Sequence, residues 1–222
     1  MIELKNIKMI YDDNGVKIEA LKLKELKIKD SEKVCFIGSS GSGKTTLFNL
    51  ISGMILPTSG SVKVNNMLVS SMKEIERDKF RLDNIGYIFQ DFNLFADFTV
   101  YQNIALPLSF TKQYSKEDIK KMTLDISKRV GIEKKINQKV KTLSGGEKQR
   151  VAIARSIVNH PKIILADEPT GNLDYKNGQK IMDLILKITN EEKATLITIT
   201  HNNSQIELFD RTINIEDLNT AI

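Results

Sequence analysis

Eight consecutive residues, Gly38-Ser39-Ser40-Gly41-Ser42-Gly43-Lys44-Thr45, have the spacing of a loop that grips phosphate. The glycines let backbone N–H groups close around phosphate oxygens, and a helix opening at the loop's end points its positive end at the same anion. In this pattern Lys44 reaches the β- and γ-phosphates of a nucleoside triphosphate and Thr45 holds magnesium, with candidate phosphate ligands running from Gly38 through Thr46. Asp167 and Glu168, adjacent carboxylates after an apolar run, can divide the remaining work. Asp167 belongs in the magnesium shell, and Glu168 polarises the attacking water as general base. His201 follows another such run, where it can donate to the γ-phosphate, and Gln90 follows one more, where it can orient water or ligate magnesium.

A second glycine turn, Ser144-Gly145-Gly146, precedes a stripe formed by Val151, Ala154, Ile157 and Val158. A helix N-terminus there is another anion site. The same residues also suit an ordinary helix with Ser144 as its N-cap. Two phosphate-binding elements about a hundred residues apart are more than one nucleotide needs.

These groups need strands to carry them. Val34 to Ile37, Ile163 to Ala166 and Leu196 to Thr200 are nearly continuous in apolar or β-branched residues, as suits strands buried on both faces of a parallel sheet, and Ile85 to Phe89 is a fourth. Ligands of open α/β sheets bind beyond the carboxyl ends of such strands, and the candidate groups stand there. Leu47, Leu50, Ile51 and Met54 repeat at helical spacing, as do Ile181, Leu184, Ile185 and Ile188. Strands alternating with helices imply an α/β core with right-handed crossovers. From Ile2 to Asp30 apolar and polar residues alternate, with changes of phase near Asn6 and Glu25 and a turn signal at Asn14-Gly15, which predicts bent or bulged antiparallel strands with one wet face. Lys22, Lys24, Lys27 and Lys29 read as that face. Between Asp91 and Val140 the strand signals stop. Ser115-Lys116-Glu117-Asp118 predicts a helix start followed by Ile119, Met122 and Ile126, and Pro107 should end or kink a helix beginning near Thr99. His160, before Pro161, reads as structural.

Composition sets outer bounds. The 222 residues, 41% hydrophobic and 27% charged, describe an ordinary globular chain, and no apolar run approaches the roughly 20 residues of a membrane-spanning helix. The start, Met1-Ile2-Glu3-Leu4-Lys5, lacks a secretory apolar stretch, so cytoplasmic placement is expected. Cys35, the one cysteine, precludes an internal disulfide or a zinc–cysteine cluster and reads as a core thiol. The net charge of +5 permits an anionic partner, yet the lysines form no block.

Leu143-Ser144-Gly145-Gly146-Glu147-Lys148-Gln149-Arg150 resembles the signature of the ABC ATPase family, and nearly the whole chain follows that family's order. The resemblance implies a P-loop NTPase core of mostly parallel sheet at about 1–90 and 160–222, with an N-terminal antiparallel lobe. A helical lobe at about 91–159, signature included, would be inserted, the whole forming one domain. It further implies that Tyr11 stacks on adenine, that Gln90 is the Q-loop glutamine, that Gly171-Asn172-Leu173-Asp174 is the D-loop, and that His201 is the switch histidine. Two copies would pair head to tail, each ATP with its Mg2+ lying between one copy's loop and the other's Ser144 and Gly146, which accounts for the second glycine element. Ile104-Ala105-Leu106-Pro107-Leu108 and Ala166 to Asp174 look like the group containing MacB, LolD and FtsE. That group implies an ATPase on the inner face of the cell membrane, driving a separate integral permease in export of lipoproteins, peptides or drugs, with FtsE-like signalling to cell-wall enzymes as the alternative. Phe92, Phe95 and Phe98 are either core or partner-facing. Asn202 and Glu216-Asp217-Leu218 depart from the group's pattern, where an aspartate and a glycine are usual, and are expected to leave the chemistry untouched. The chain's end soon afterwards is read as leaving no room for a regulatory domain. A nucleic-acid-associated ABC ATPase and a P-loop kinase are the rival readings. The first would carry paired domains or a coiled coil, and the second would leave the Ser-Gly-Gly turn unexplained. No direct nucleic-acid partner is expected.

Overall fold

The computed structural model describes residues 1–111 and 113–221, the side chains of Asn203 and Ser204 excepted. Chain contacts divide it into two compact units, Met1–Arg81 with Thr195–Ile222, and Leu82–Ala194.

In the first unit, β1 (Ile2–Asp13) and β2 (Val16–Ile28) form a long antiparallel hairpin. Asn14 and Gly15 turn it with φ of 53° and 87°, the left-handed pair that matches strand twist, and Asp12 accepts from the Gly15 N–H. Both strands change face together. Ile2 and Leu4 oppose Ile28 and Leu26, Ile7 and Met9 oppose Leu23 and Leu21, and Asn6 between them sits at φ 50°. The register shifts between Met9 and Ile10 against β2, and between Lys5 and Lys8 against β4 (Ser59–Val64). Lys22, Lys24, Lys27 and Lys29 lie on the exposed side. The sheet order is β2-β1-β4-β5, with β5 at Met67–Leu68; β4 is largely polar and β5 is two residues long, so neither leaves a strand signal in the sequence.

The same unit holds a parallel trio. β3 (Lys33–Ile37) lies between β8 (Thr195–Ile199) and β9 (Arg211–Asn214). Every residue of β8 is buried, as are Val34, Cys35 and Phe36, so the continuous apolar runs are two-sided strands. α1 (Lys44–Ile51) follows β3 and buries Leu47, Phe48, Leu50 and Ile51. Met54, expected on its stripe, lies outside it and is 42% exposed, because Gly53 at φ 69° ends the helical path. α2 (Glu74–Asn84) buries Phe80, and the short α7 (Ile215–Leu218) buries Ile215.

In the second unit, β6 (Ile85–Ile88) pairs in parallel with β7 (Ile163–Asp167), β6 ending one residue before Phe89. α3 (Val100–Ser109) starts at a capping box, where Thr99 Oγ1 accepts from the Gln102 N–H and Gln102 Oε1 from the Thr99 N–H. It runs through Pro107, which supplies no N–H to the carbonyl four residues earlier, and ends two residues later at Ser109. α4 (Lys116–Arg129) opens the same way through Ser115 and Asp118. α5 (Gly145–Ile157) packs on α3, β6 and α6 (Tyr175–Glu192), and buries Val151, Ala152, Ile153, Ala154 and Ile157. At about 1.5–3 kcal/mol for each large apolar side chain, that burial fixes α5 more firmly than helix propensity does. His160 pairs with Glu192 at 2.8 Å, a structural role as expected.

Burial pushes the Cys35 thiol up to about 12. A maleimide at pH 8 should therefore leave Cys35 unmodified in the folded protein and label it fully in urea, where the thiol returns to about 8.5. Rapid labelling of the folded chain, read by mass spectrometry, would contradict this burial.

Candidate functional site

The phosphate loop leaves the carboxyl end of β3 and closes on the first turn of α1. Gly38 at φ 146° and Gly43 at φ 100° bend it through conformations that side chains rarely adopt. A Cβ on Gly43 would stand 2.9 Å from the Ala20 carbonyl oxygen, so only glycine fits there. Lys44 Nζ donates to the Gly38 and Ser39 carbonyls at 2.8 and 2.6 Å and to Ser42 Oγ at 3.3 Å, which holds the ammonium inside the curve of the loop. Ser42 is buried, while Ser39, Ser40, Gly41 and Thr45 are exposed. The Tyr11 hydroxyl lies 3.4 Å from Thr46 Oγ1, bringing the aromatic of β1 to the loop's helix with its ring 38% exposed. His201 is exposed just past β8 and so shares the carboxyl edge of adjacent parallel strands with the loop, the Thr200 N–H donating to the Phe36 carbonyl.

The chain's tail takes part in this loop. Asn219, 3% exposed, donates through Nδ2 to the Ser42 and Ala20 carbonyls at 3.1 Å and accepts through Oδ1 from the Lys22 N–H at 2.8 Å. One side chain thus staples the loop to β2. Glu216 Oε1 accepts from the Ser39 N–H at 2.9 Å and from Ser39 Oγ at 2.5 Å. These bonds, with help from Asn214 and the Lys44 charge, hold its carboxyl below the usual range. Neither residue sits in a periodic pattern, so no signal in the sequence marks them.

In the second unit, Gln90 and the Asp167-Glu168 pair leave the same carboxyl edge, Ile88 pairing with Ala166. Asp167 closes β7 and Glu168 follows at φ 43°. Asn172 Nδ2 donates to the Gln90 carbonyl and to Asp91 Oδ1, each at 3.0 Å, and so ties the segment after β7 to the segment after β6. Arg155 on α5 donates to the carbonyls of Phe92 and Asn93 at 2.9 and 2.5 Å. Those two residues have φ of 62° and 46°, a bent path that the guanidinium holds. Phe95 and Phe98 stack at 5.1 Å and are 52% and 39% exposed, so they are not core.

Ser144, Gly145 and Gly146 open α5 and line a hollow of about 380 Å³ with Arg150, Asn172 and Asp174. The Ser144 N–H donates to Glu147 Oε2 at 2.9 Å. Lys135 first, then this bond, hold the Glu147 carboxyl low. Asp174 is occupied as the N-cap of α6, accepting from the Asn177 N–H at 3.1 Å. The two phosphate-binding elements expected from sequence are therefore both helix N-termini, one in each unit.

If the staple shapes the loop, Asn219→Ala should weaken ATP binding and cost about 1–3 kcal/mol in urea unfolding, since it orphans partly buried backbone groups. Parent-like ATP affinity in a fluorescent-nucleotide titration would detach Asn219 from the loop.

Comparison with known proteins agrees with this geometry. The family model described as ABC transporter matches residues 21–171. The lipoprotein-releasing system ATP-binding protein LolD of Psychrobacter arcticus is 39% identical over 211 residues, covering 95% of this chain and 93% of that one. The ABC transporter ATP-binding protein MJ0796 of Methanocaldococcus jannaschii is 42% identical over 220 residues, covering 98% and 94%. The macrolide export ATP-binding/permease protein MacB of Bdellovibrio bacteriovorus is 38% identical, covering 98% of this chain but 33% of its own length. A solved dimeric, post-hydrolysis structure of the MJ0796 cassette with ADP and Pi superposes with a TM-score of 0.88 at 39% identity, covering 97% and 95%. The α/β architecture, the loop and the matched family leave one assignment: the chain belongs to the ABC transporter family, as one of its ATP-hydrolysing nucleotide-binding domains.

Proposed function

We propose that the chain works as a head-to-tail homodimer that hydrolyses ATP to drive a separate integral membrane permease in export or extrusion. The names of its relatives support the export reading. LolD is named for lipoprotein release, and MacB is named as both ATP-binding protein and permease, of which this chain spans only a third. No helix among the described residues is long and apolar enough to cross a membrane. Placement on the inner face of the cell membrane follows from the permease reading.

The observation that carries the dimer reading is the pair of helix N-termini. Gly38 to Thr46 can grip the β- and γ-phosphates, with Tyr11 on the adenine, and Ser144 to Gly146 present a second anion site that one nucleotide in one copy does not need. In a head-to-tail pair each γ-phosphate gains contacts from both copies. ATP then favours the closed pair and hydrolysis removes the excess, because a ligand shifts a balance only through differential contacts.

Thr45 of the first unit, and Asp167 and Gln90 of the second, each offer an oxygen of the kind magnesium takes, with Asp167 the one carboxylate; phosphate and water would complete the shell. A bound ion would supply positive charge that neutralises the phosphate oxygens. Glu168 accepts the proton of the attacking water as its oxygen bonds to the γ-phosphorus and the bond to ADP breaks. His201 donates to the γ-phosphate, and Gln90 orients the water. Asp174 and its D-loop serve the second nucleotide across the pair. The exposed Phe95 and Phe98 are surfaces through which motion would reach the permease.

Glu168→Gln should bind ATP with parent-like affinity, lose at least about 100-fold in turnover, and elute as a dimer when ATP is present. Parent-like phosphate release by this variant would remove Glu168 from the role of base.

A further inference from the structure

Gln149 is fully buried within the otherwise apolar inner face of α5, beside Val151, Ala152 and Ile153. Its Nε2 donates to the Pro169 carbonyl at 2.7 Å, while its Oε1 is buried with no hydrogen-bond partner among the described residues. A leucine or methionine would satisfy the packing better, because a buried amide with one half unmatched is costly. The residue therefore has to be explained by the one bond it makes.

That bond falls beside Glu168. Glu168 has φ 43°, a left-handed conformation unfavourable for a side chain with a Cβ, and it precedes a proline, which restricts its backbone further. Such a conformation persists only where the surroundings over-determine it. On one side the turn is closed by its own bond, the Gly171 N–H donating to the Glu168 carbonyl at 3.0 Å. On the other, proline has no N–H, so the carbonyl is the one backbone hydrogen-bonding group Pro169 has, and Gln149 takes it.

We propose that Gln149 is a positioning residue that holds the Glu168-Pro169 turn in its strained form and so aims the Glu168 carboxylate from the helix that begins at Ser144. The proposal rests on the reading of Glu168 as general base. Its consequence is that the helix whose first turn is offered to the other copy's ATP also sets this copy's own base, so the two sites of a dimer share one rigid rod.

The test is a double-mutant cycle of Gln149→Met and Glu168→Gln, with single-turnover hydrolysis at saturating ATP and separate ATP titrations. Methionine keeps the length and removes the donor. Gln149→Met alone should lower the hydrolysis rate about tenfold or more, as small misplacements of reacting groups do. ATP affinity should stay within about twofold of the parent, which also reports an intact fold. In the Glu168→Gln background the same substitution should change the residual rate by less than about twofold, since a residue acting through Glu168 has nothing left to aim. A parent-like rate for Gln149→Met beside a dead Glu168→Gln would overturn the positioning role and leave the base assignment standing. Losses that multiply in the double variant would overturn it too, by showing that Gln149 acts elsewhere. A parent-like rate for Glu168→Gln would remove the base itself, and this proposal with it.

Discussion

Multiply charged phosphate is gripped well by the backbone N–H groups that a helix leaves unbonded, and a helix presents them only at its first turn. The loop from Gly38 to Thr45 meets that constraint by passing through positive φ at Gly38, Gly41 and Gly43 before α1 begins. Only glycine can take this path at position 43, because β2 lies so close that a Cβ there would meet the Ala20 carbonyl. Asn219 locks the contact by bonding both the loop and β2. The antiparallel hairpin is thus the wall against which the loop is pressed, and it carries Tyr11 on the same side.

The second unit solves a different problem. The candidate residues Gln90 and Glu168 beyond the ends of β6 and β7 stand in segments of irregular backbone, where Phe92, Asn93 and Glu168 are at positive φ. Arg155, Asn172 and Gln149 each bond a backbone carbonyl in those segments. Two of the three project from α5, which is packed against α3, β6 and α6. The positive-φ backbone of these segments is held by side-chain hydrogen bonds, from the buried Gln149, the half-buried Arg155 and the exposed Asn172, as suits a site organised before its substrate arrives.

The repetitive parts of this architecture were legible in the sequence because they are governed by periodicity and by local chemistry. Buried strands such as Ile163 to Ala166 read as unbroken apolar runs, Asn14-Gly15 as a hairpin turn, and Ser115 with Asp118 as a helix start. The phosphate loop was legible because its glycines leave a spacing. Residues that act by reaching across the fold leave none. Asn219 lies in a polar tail and Gln149 looks like one more polar position on an amphipathic helix, and only their burial and their hydrogen bonds reveal them. The link between Glu216 and Ser39 leaves no signal for the same reason, since it spans most of the chain. Met54 was misassigned because helical spacing continues in the letters after Gly53 has already turned the backbone away.

The central claim is that one triphosphate is held by the loop of one copy and by the Ser144–Gly146 turn of another. A structure of the hydrolysis-dead Glu168→Gln form loaded with ATP and magnesium tests it most directly. The account predicts a symmetric pair in which each γ-phosphate lies within hydrogen-bond reach of Lys44 from one copy and of Ser144 and Gly146 from its partner. A nucleotide-filled loop with the Ser144–Gly146 turn of every copy facing solvent would contradict it.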